Sequence, residues 1–579
     1  MTALHTQAVG ASVQPPLSRA VGYVIVVVLG LIIACANRAV MMAITKILKK
    51  TTGEDNRKTE MFMTANRTVR TGLTASAEIS SWLWTIAMLG ASLVGYNYGV
   101  AGPFWFAAGC SPMIVFFALI GISCKRKIPD AHTSLEVVRI RYGRVAHVVF
   151  MTLCPINNFF ACANMLLGAA AVISAMWNRN AHHRCHLPTA CSGNQDGTYL
   201  TMTSKGAILF GILHICSNFG LVIMDTSYFI KAFSAAPSSV VPGYTIGEIA
   251  YFSIPWALGT IMSCLALGLE NTSSFPTYPR VISNGLVLPY AAIAIAGKGG
   301  AAAILLITFM AVTSTLSAQV IAVSSILSFD FYREYINKAA SDRDIIQASH
   351  FGVIFFATFS AAFSTMLHYV GIDLGWTLYM LGTFPFPPSF STNNLIIEIG
   401  VVTCPGIFPM TFTILWRHQS KPAAILSPIL GLGTGIGVWL GTARQFYGTV
   451  SVSSTGEILP CVYRTVASAF SPILYSVLIT WVKPQRYDWG EFRREKLGLG
   501  SDRVDSDVTV GEGQGLLIDP RELKRWGRMA AVWSVATFLG HWVVWPLPMY
   551  GSGYIFGKGF FAAWVVVGYH ACGDSLSGF

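Results

Sequence analysis

The sequence predicts an all-α polytopic membrane protein. Only 11% of the 579 residues are charged and 53% are hydrophobic, whereas soluble chains carry about 25% charged residues. Mean hydropathy is +0.55. Apolar stretches long enough to cross about 30 Å of hydrocarbon recur from end to end. The formal net charge of +12 comes from Lys and Arg gathered between apolar stretches. That pattern fits basic cytoplasmic loops and gives no reason to expect nucleic-acid binding.

The candidate spans cover 20–47, 71–95, 97–122, 144–177, 206–230, 243–269, 300–328, 347–369, 371–416 (interrupted), 421–443, 460–482, 529–548 and 556–573. They number about thirteen on a ~19-residue window. The first twenty residues are polar and lack an apolar signal core, so the first span is expected to target the chain. With the N-terminus outside, "KKTTGEDNRK", "CKRKIPDAH", "YREYINKAASDRD", "WRHQSK" and "KPQRYDWGEFRREK" all fall inside. Outer loops such as "YGTVSVSSTGEILP" are poor in Lys and Arg, and the C-terminus falls inside. The expected organisation is an extracellular tail over 1–19, a core with flanking helices over 20–482, a cytoplasmic linker over 483–528, and C-terminal helices over 529–579. The linker carries charges and "SDRVDSDVTVGEGQG", a composition with little to pack.

Polar groups inside spans are costly and are functional candidates. Glu78 in "TASAEISSWLW" either binds and couples or pairs with a basic side chain on a neighbouring helix. Asp225 in "MDTSYF" is expected near the inner end, where Lys231 is an available partner. Asn218 precedes Phe219 and Gly220, and Gly220 is a candidate helix break. "AVTSTLSAQVIAVSS" over 311–325 places Ala311, Ser314, Thr315, Ala318, Ala322 and Ser325 on one small-residue helix face. Such a face lets another helix approach closely. Its hydroxyls, with a carbonyl one turn earlier, also offer hard oxygen ligands to a cation.

"HHRCH" (His182, His183, Cys185, His186) fits no closed zinc spacing. Cys185 and Cys191 share a loop and could pair on an oxidising side. No nucleophile elbow, phosphate loop or paired catalytic carboxylates stand out, so neither enzyme nor cofactor is expected. A metalloenzyme built on the His cluster is the remote alternative.

Long stretches resemble one family, the urea active transporters of eukaryotes within the sodium:solute symporters. They include "EDNRKTEMFMTANRTVRTGLTAS", "YGVAGPFWFAAG", "PDAHTSLEVVRIRYG", "NGLVLPYAAIAIAGKGGAAAILLITFMAVTSTLSAQVIAVSSILSFDFY", "GIDLGWTLYMLG" and "ILWRHQSKPAAILSPILGLGTGIGVWLGTA". The resemblance implies a LeuT-like fold of ten inverted-repeat core helices with extra flanking helices. In that fold the first and sixth core helices, here 71–95 and 206–230, are broken at the midplane. It further implies cation ligands at Ser76, Ile79, Ala311, Ser314 and Thr315. Substrate contacts carry over to Glu78 and Asn218, and Ser80, Ser81, Trp82 and Trp84 offer fitting side-chain types. Glu78 and Asp225 are the candidates for proton coupling.

The implied function is import of urea across the plasma membrane, coupled to H+ or Na+. Polyamines or another small solute are the alternative substrates. Urea transporters usually have an apolar residue at the position of Glu78, so Glu78 departs from the pattern. Two larger departures stand beside it. After "AAAVISAMW" the family continues through two more helices, whereas this chain has a junction at 178–192, so core helices four and five are lacking. A segment at 383–400, "TFPFPPSFSTNNLIIEIG", interrupts another span. A non-transporting paralogue or nutrient sensor is therefore the competing reading.

Overall fold

Backbone N–H and C=O groups have no water to bind inside a bilayer, so each apolar run closes its hydrogen bonds internally as a helix. The structure is a computed structural model that describes residues 18–51, 59–128, 131–177, 194–269, 275, 285–369, 404–490 and 520–577. Among these residues the elements are helices, turns and two isolated bridges. The helices are α1 (Leu29–Thr51), α2 (Thr71–Trp82), α3 (Thr85–Tyr98), α4 (Ala101–Lys127), α5 (Ser134–Tyr142) and α6 (Arg144–Trp177). They continue as α7 (Lys205–Ile223), α8 (Thr226–Ser234), α9 (Pro237–Leu269), α10 (Val287–Ser325), α11 (Asp342–Tyr369) and α12 (Ile407–Leu415). The last are α13 (Lys421–Tyr447), α14 (Ile458–Val482), α15 (Pro520–Leu539) and α16 (Lys558–Ser577). Short helices at Thr59–Thr64, Val452–Thr455 and Pro546–Ser552 join them.

Ten of the described helices are long and apolar enough to cross a membrane, and the bent pair α2–α3 makes eleven. The sequence suggested about thirteen by window hydropathy. The difference lies in two short helices, Cys404–Leu415 and Lys558–Tyr569. Most of the interrupted span 371–416 lies outside the described residues, as do the insertion 383–400, the junction 178–192, the His cluster and the Cys185/Cys191 pair.

α4 is buried along nearly its whole length, packed by α9, α7, α15 and α3. It is apolar all round, as a central helix must be. α13 and α14 pack lengthwise on each other and turn Leu430, Leu474 and Val477 outward. At one end of the bundle, Gly99 takes φ +73°, and a side chain there would strike the backbone of Tyr199. The positive φ and the close approach both require glycine.

The basic loops expected on the inner side also serve the fold. Lys127 Nζ donates to the Ile414 carbonyl at 2.6 Å and Lys125 Nζ to that of Phe233. Arg141 donates to the carbonyls of Thr413, Trp416 (2.8 Å) and Gln419 (3.3 Å). Cations thus cap the C-terminal carbonyls of α8 and α12, where the helix dipole favours them. Burial draws the Arg141 guanidinium below its usual range and pushes the neighbouring Tyr142 hydroxyl up to about 12.

Two expected boundaries move. The linker does not begin unpacked at 483: Trp489 lies under Lys127 at 5.0 Å, and the Tyr487 N–H bonds the Arg417 carbonyl at 3.1 Å. The C-terminal helices begin at Pro520, not 529. Proline suits a first turn, and Leu523 and Ala530 bury one stripe of α15 beneath the charges that made 520–528 look like linker.

α9 crosses α3 and α4 at Gly259, where an added Cβ would lie 2.8 Å from Ala91 Cβ and 3.0 Å from Pro103 Cβ. Gly259→Val should therefore destabilise the purified protein by about 1–3 kcal/mol through overpacking. Gly268→Ala, with open space at its Cβ, should melt like the parent. Equal thermal melts for both variants would remove this crossing from the account.

Candidate substrate and cation site

Two spans are interrupted. α2 ends at Trp82 and α3 begins at Thr85, with a 54° bend between Thr71–Trp82 and Ala87–Tyr98. α7 ends at Ile223 and α8 begins at Thr226. The second break falls at Met224–Asp225, not at Gly220, which stays helical. No glycine or proline makes either break. Each is held open by side chains that take over the freed backbone groups.

At the first break every carbonyl from Ile79 to Trp82 has a donor. The Ile79 carbonyl accepts from Leu83 N at 2.9 Å, and the Trp82 carbonyl from Trp84 N at 2.8 Å. The Ser81 carbonyl accepts from the Trp84 indole at 2.5 Å, and the Ser80 carbonyl from Ser314 Oγ of α10 at 3.3 Å. At the second break Asp225 caps α8 by accepting from Ser227 N at 2.8 Å. Its other contacts are amides: Gln319 Nε2 of α10 at 2.6 Å and Asn158 Nδ2 of α6 at 3.2 Å. Asn157 Nδ2 serves the Leu221 carbonyl at 3.0 Å. Asp225 therefore sits at a helix break, held by amides and a cap, and is not the partner of Lys231.

Lys231 turns instead to α2. Its Nζ donates to Ser81 Oγ at 2.5 Å, stands 3.8 Å from Glu78 Oε1, and lies 4.3 Å over the Tyr228 ring. Glu78 is fully buried and neither carboxylate oxygen has a hydrogen-bond partner. The Trp82 ring meets Tyr228 at 5.6 Å and Tyr251 at 5.5 Å. The Trp82 indole N–H and the Tyr228 hydroxyl are likewise buried without partners. Between the two breaks, then, aromatic faces surround an unsatisfied acceptor, an unsatisfied donor and a hydroxyl able to act as either.

The expected cation ligands gather on the opposite side of α2. A cavity of about 860 Å³ is lined by Ser76, Ile79, Ser80, Ala311 and Ser314, among others. Thr315 is buried just behind, and its Oγ1 donates to the Ala311 carbonyl at 2.7 Å. Ser314 Oγ is 3.0 Å from that same carbonyl. Three α10 oxygens and the Ser80 carbonyl thus converge. Thr313 and Ser317 point away, bonding back to Phe309 and Ser314. Leu73, Leu306, Ile307 and Met310 rim the cavity and are exposed. No stretch between Trp177 and Asn194 is long enough for the helix pair that the resemblance inserts there.

Of the other expected residues, Asn218 donates toward the Gly109 carbonyl at 3.4 Å and Cys110 Sγ at 3.2 Å, so it braces α4. Ser80 Oγ bonds back to the Ala77 carbonyl at 3.1 Å. Sequence reading paired Lys231 with Asp225 instead of Glu78, and missed Tyr228, Tyr251, Asn158, Gln319 and Glu248. Glu248 in "TIGEIAYF" meets the same intramembrane-carboxylate criterion that singled out Glu78. The tyrosines carry no signal beyond aromatic content. Among the described residues no cluster of three or more metal-ligand types occurs.

No family model matches the chain. "Probable urea active transporter 1" of Schizosaccharomyces pombe is 36% identical over 626 aligned positions, covering 96% of this chain and 89% of the relative. "Urea active transporter" of Saccharomyces cerevisiae is 32% identical over 678 positions, with 96% and 89% covered. "Urea-proton symporter DUR3" of Oryza sativa subsp. japonica is 30% identical over 630 positions, with 96% and 82% covered. These alignments exceed the 579 residues of this chain, so each relative carries residues that it lacks. A solved Na+-coupled sialic acid symporter, substrate-bound and outward-open, superposes with TM-score 0.50 at 12% identity over 78% of this chain and 97% of its own. That likeness shows the fold: a LeuT-like bundle with broken helices.

Removing one partner of a buried ion pair strands the other, at a cost of about 3–5 kcal/mol. Lys231→Met should therefore lower thermal stability sharply, and Glu78→Gln added to it should restore most of the loss. A Lys231→Met variant as stable as its parent would show that the pair is not coupled.

Proposed function

Since the chain belongs to the urea active transporters of the sodium:solute symporter family, we propose that it imports urea across the plasma membrane by symport with a cation. The observation that carries this reading is the pair of facing helix breaks with unsatisfied polar groups between aromatic walls. Urea is small, neutral and planar, with a strong acceptor oxygen and four N–H donors. Its N–H groups suit the Glu78 carboxylate, its oxygen suits the Trp82 indole N–H, and Trp82, Tyr228 and Tyr251 supply flat walls. Binding a molecule with so few atoms demands that each one be used.

The cation site of this proposal is Ser76, Ile79, Ala311, Ser314 and Thr315. Ser314 contacts the backbone of the broken helix, so an ion between α2 and α10 would favour the conformation that shapes the substrate chamber. One positive charge moved inward through 100 mV supplies about 2.3 kcal/mol. That supports roughly 50-fold accumulation at ~1.4 kcal/mol per decade. The N-terminus lies outside in this proposal, as the basic inner loops indicate. Thr201 bridges Ile555, which puts two expected outer loops at the same end.

A second reading has its own observation. The exposed apolar rim of the cavity, together with a sequence between Trp177 and Asn194 too short for a helix pair, suits a non-transporting member of the family.

Labelled urea uptake in cells without endogenous urea transporters should be saturable. Ser314→Ala with Thr315→Ala should cut it by about tenfold or more, the equivalent of ~1.4 kcal/mol. Full uptake by the double variant would remove the cation site. No uptake by the parent chain would favour the non-transporting reading. Competition by unlabelled polyamine reads the alternative substrate class.

A further inference from the structure

We propose that Glu248 and His541 form a proton-binding site where α4, α9 and the C-terminal span cross, and that its proton moves with urea in addition to a cation held between α2 and α10. The coupled role rests on the symport reading; the proton site stands on its own geometry. Glu248 on α9 is 3% exposed, and its Oε1 has no hydrogen-bond partner. That oxygen lies 3.8 Å from His541 Nδ1. The same nitrogen is 2.9 Å from Ser111 Oγ of α4. His541 occupies a π-helical turn, Gly540–Val544, and its ring stacks on Phe252 with centroids 3.9 Å apart and planes 6° apart. Trp542 locks the turn by donating to the Ala108 carbonyl at 2.8 Å.

At 3.8 Å the carboxylate and the imidazole are too far apart for a direct hydrogen bond, but in an apolar setting the pair is most stable with one added proton, carried by either group. Carboxyl with imidazole and carboxylate with imidazolium are both net neutral. Loss of the proton leaves a bare carboxylate with an unpartnered oxygen at membrane depth, which is costly without water. The proton must therefore pass to water that reaches the pair in one conformation and return from water on the other side in the next. Proton occupancy is thereby tied to which side is open, as symport requires.

α9 connects the pair to the substrate chamber. Gly247 lets α9 approach α2 so closely that a Cβ there would lie 3.1 Å from Glu78 Cβ. Tyr251, three residues beyond Glu248, packs on Trp82, and Tyr244 donates to the Tyr228 carbonyl at 3.0 Å. Other ionisable groups around α9 are few. α2 brings Glu78, with Lys231 and Asp225 beyond it. α4 brings Cys110 beside Ser111, and α9 itself Tyr244 and Tyr251. α3 carries Tyr96 and Tyr98, α10 carries Tyr290 and Lys298, and the described part of α16 carries Lys558 and Tyr569. The charged residues of α15, from Arg521 to Arg528, sit at its inner end. A pure clamp between core and C-terminal span would need no titrating group.

The test uses purified full-length protein. Infrared spectra across a pH titration should show a protonated-carboxyl band that is absent in Glu248→Gln, present in Glu248→Asp, and shifted in midpoint by His541→Gln. In proteoliposomes holding a pH dye, an inward urea gradient should acidify the lumen. Glu248→Gln should lose that proton flux and the pH dependence of urea entry. A band and a flux unchanged in Glu248→Gln would overturn the proposal. Urea entry by the parent with sodium and no proton flux would overturn the coupled role alone. No urea entry by the parent would sink the symport reading, while the infrared titration still decides the proton site.

Discussion

A helix interrupted inside a bilayer exposes backbone groups that lipid cannot satisfy, and this chain interrupts two. The rest of the bundle is arranged around that constraint. Trp84 bends back to hold the Ser81 carbonyl, and Ser314 reaches across from α10 to hold that of Ser80. At the second break Asp225 and Asn157 hold backbone groups, and Gln319 and Asn158 hold the Asp225 carboxylate in turn. Several of these partners come from α6 and α10, so the breaks are fully satisfied only when those helices are packed against them. Conversely, α6 and α10 carry amides at membrane depth that are tolerable only against the breaks. The arrangement is mutual, and movement of one broken helix must disturb its partners.

Three of the buried carboxylates lie around the breaks and α9, each with a different environment. Asp225 is saturated by a helix N-terminus and two amides, so its role is to hold shape. Glu78 keeps both oxygens without hydrogen bonds beside the Lys231 ammonium, an arrangement that leaves acceptors available to a ligand. Glu248 faces an imidazole. Acidic side chains of similar chemistry thus divide into a structural support, a proposed substrate contact and a proposed proton carrier according to what packs beside them. The open rim between α2 and α10 adds tension to the picture, since the proposed cation ligands line a cavity walled partly by exposed Leu73 and Met310.

Much of this was legible in the residues. Hydropathy and loop charge marked the spans, because a helix in lipid needs length and apolarity and little else. "AVTSTLSAQVIAVSS" marked a small-residue face, and α10 presents Ala311, Thr315, Ala322 and Ser325 inward while Thr313 and Ser317 face out, as the 3.6-residue period requires. The break positions were less legible. Gly220 was the conventional suspect, but a glycine inside a packed helix keeps its hydrogen bonds, whereas Asp225 can replace them with its own side chain. Residues 520–528 were read as linker because charge dominates their average; the buried stripe of Leu523 and Ala530 appears only when the helix has a surface to lie on.

Partnership was beyond the one-dimensional reading. That Lys231 answers Glu78 and not Asp225, or that His541 meets Glu248 across nearly three hundred residues, depends on which helices cross and at what height. The sequence determines a membrane-spanning helical bundle and its family, because lipid imposes strong local rules on every segment. The tertiary structure alone decides which buried charges meet, because pairing is a property of the crossing points between helices and of no segment taken singly.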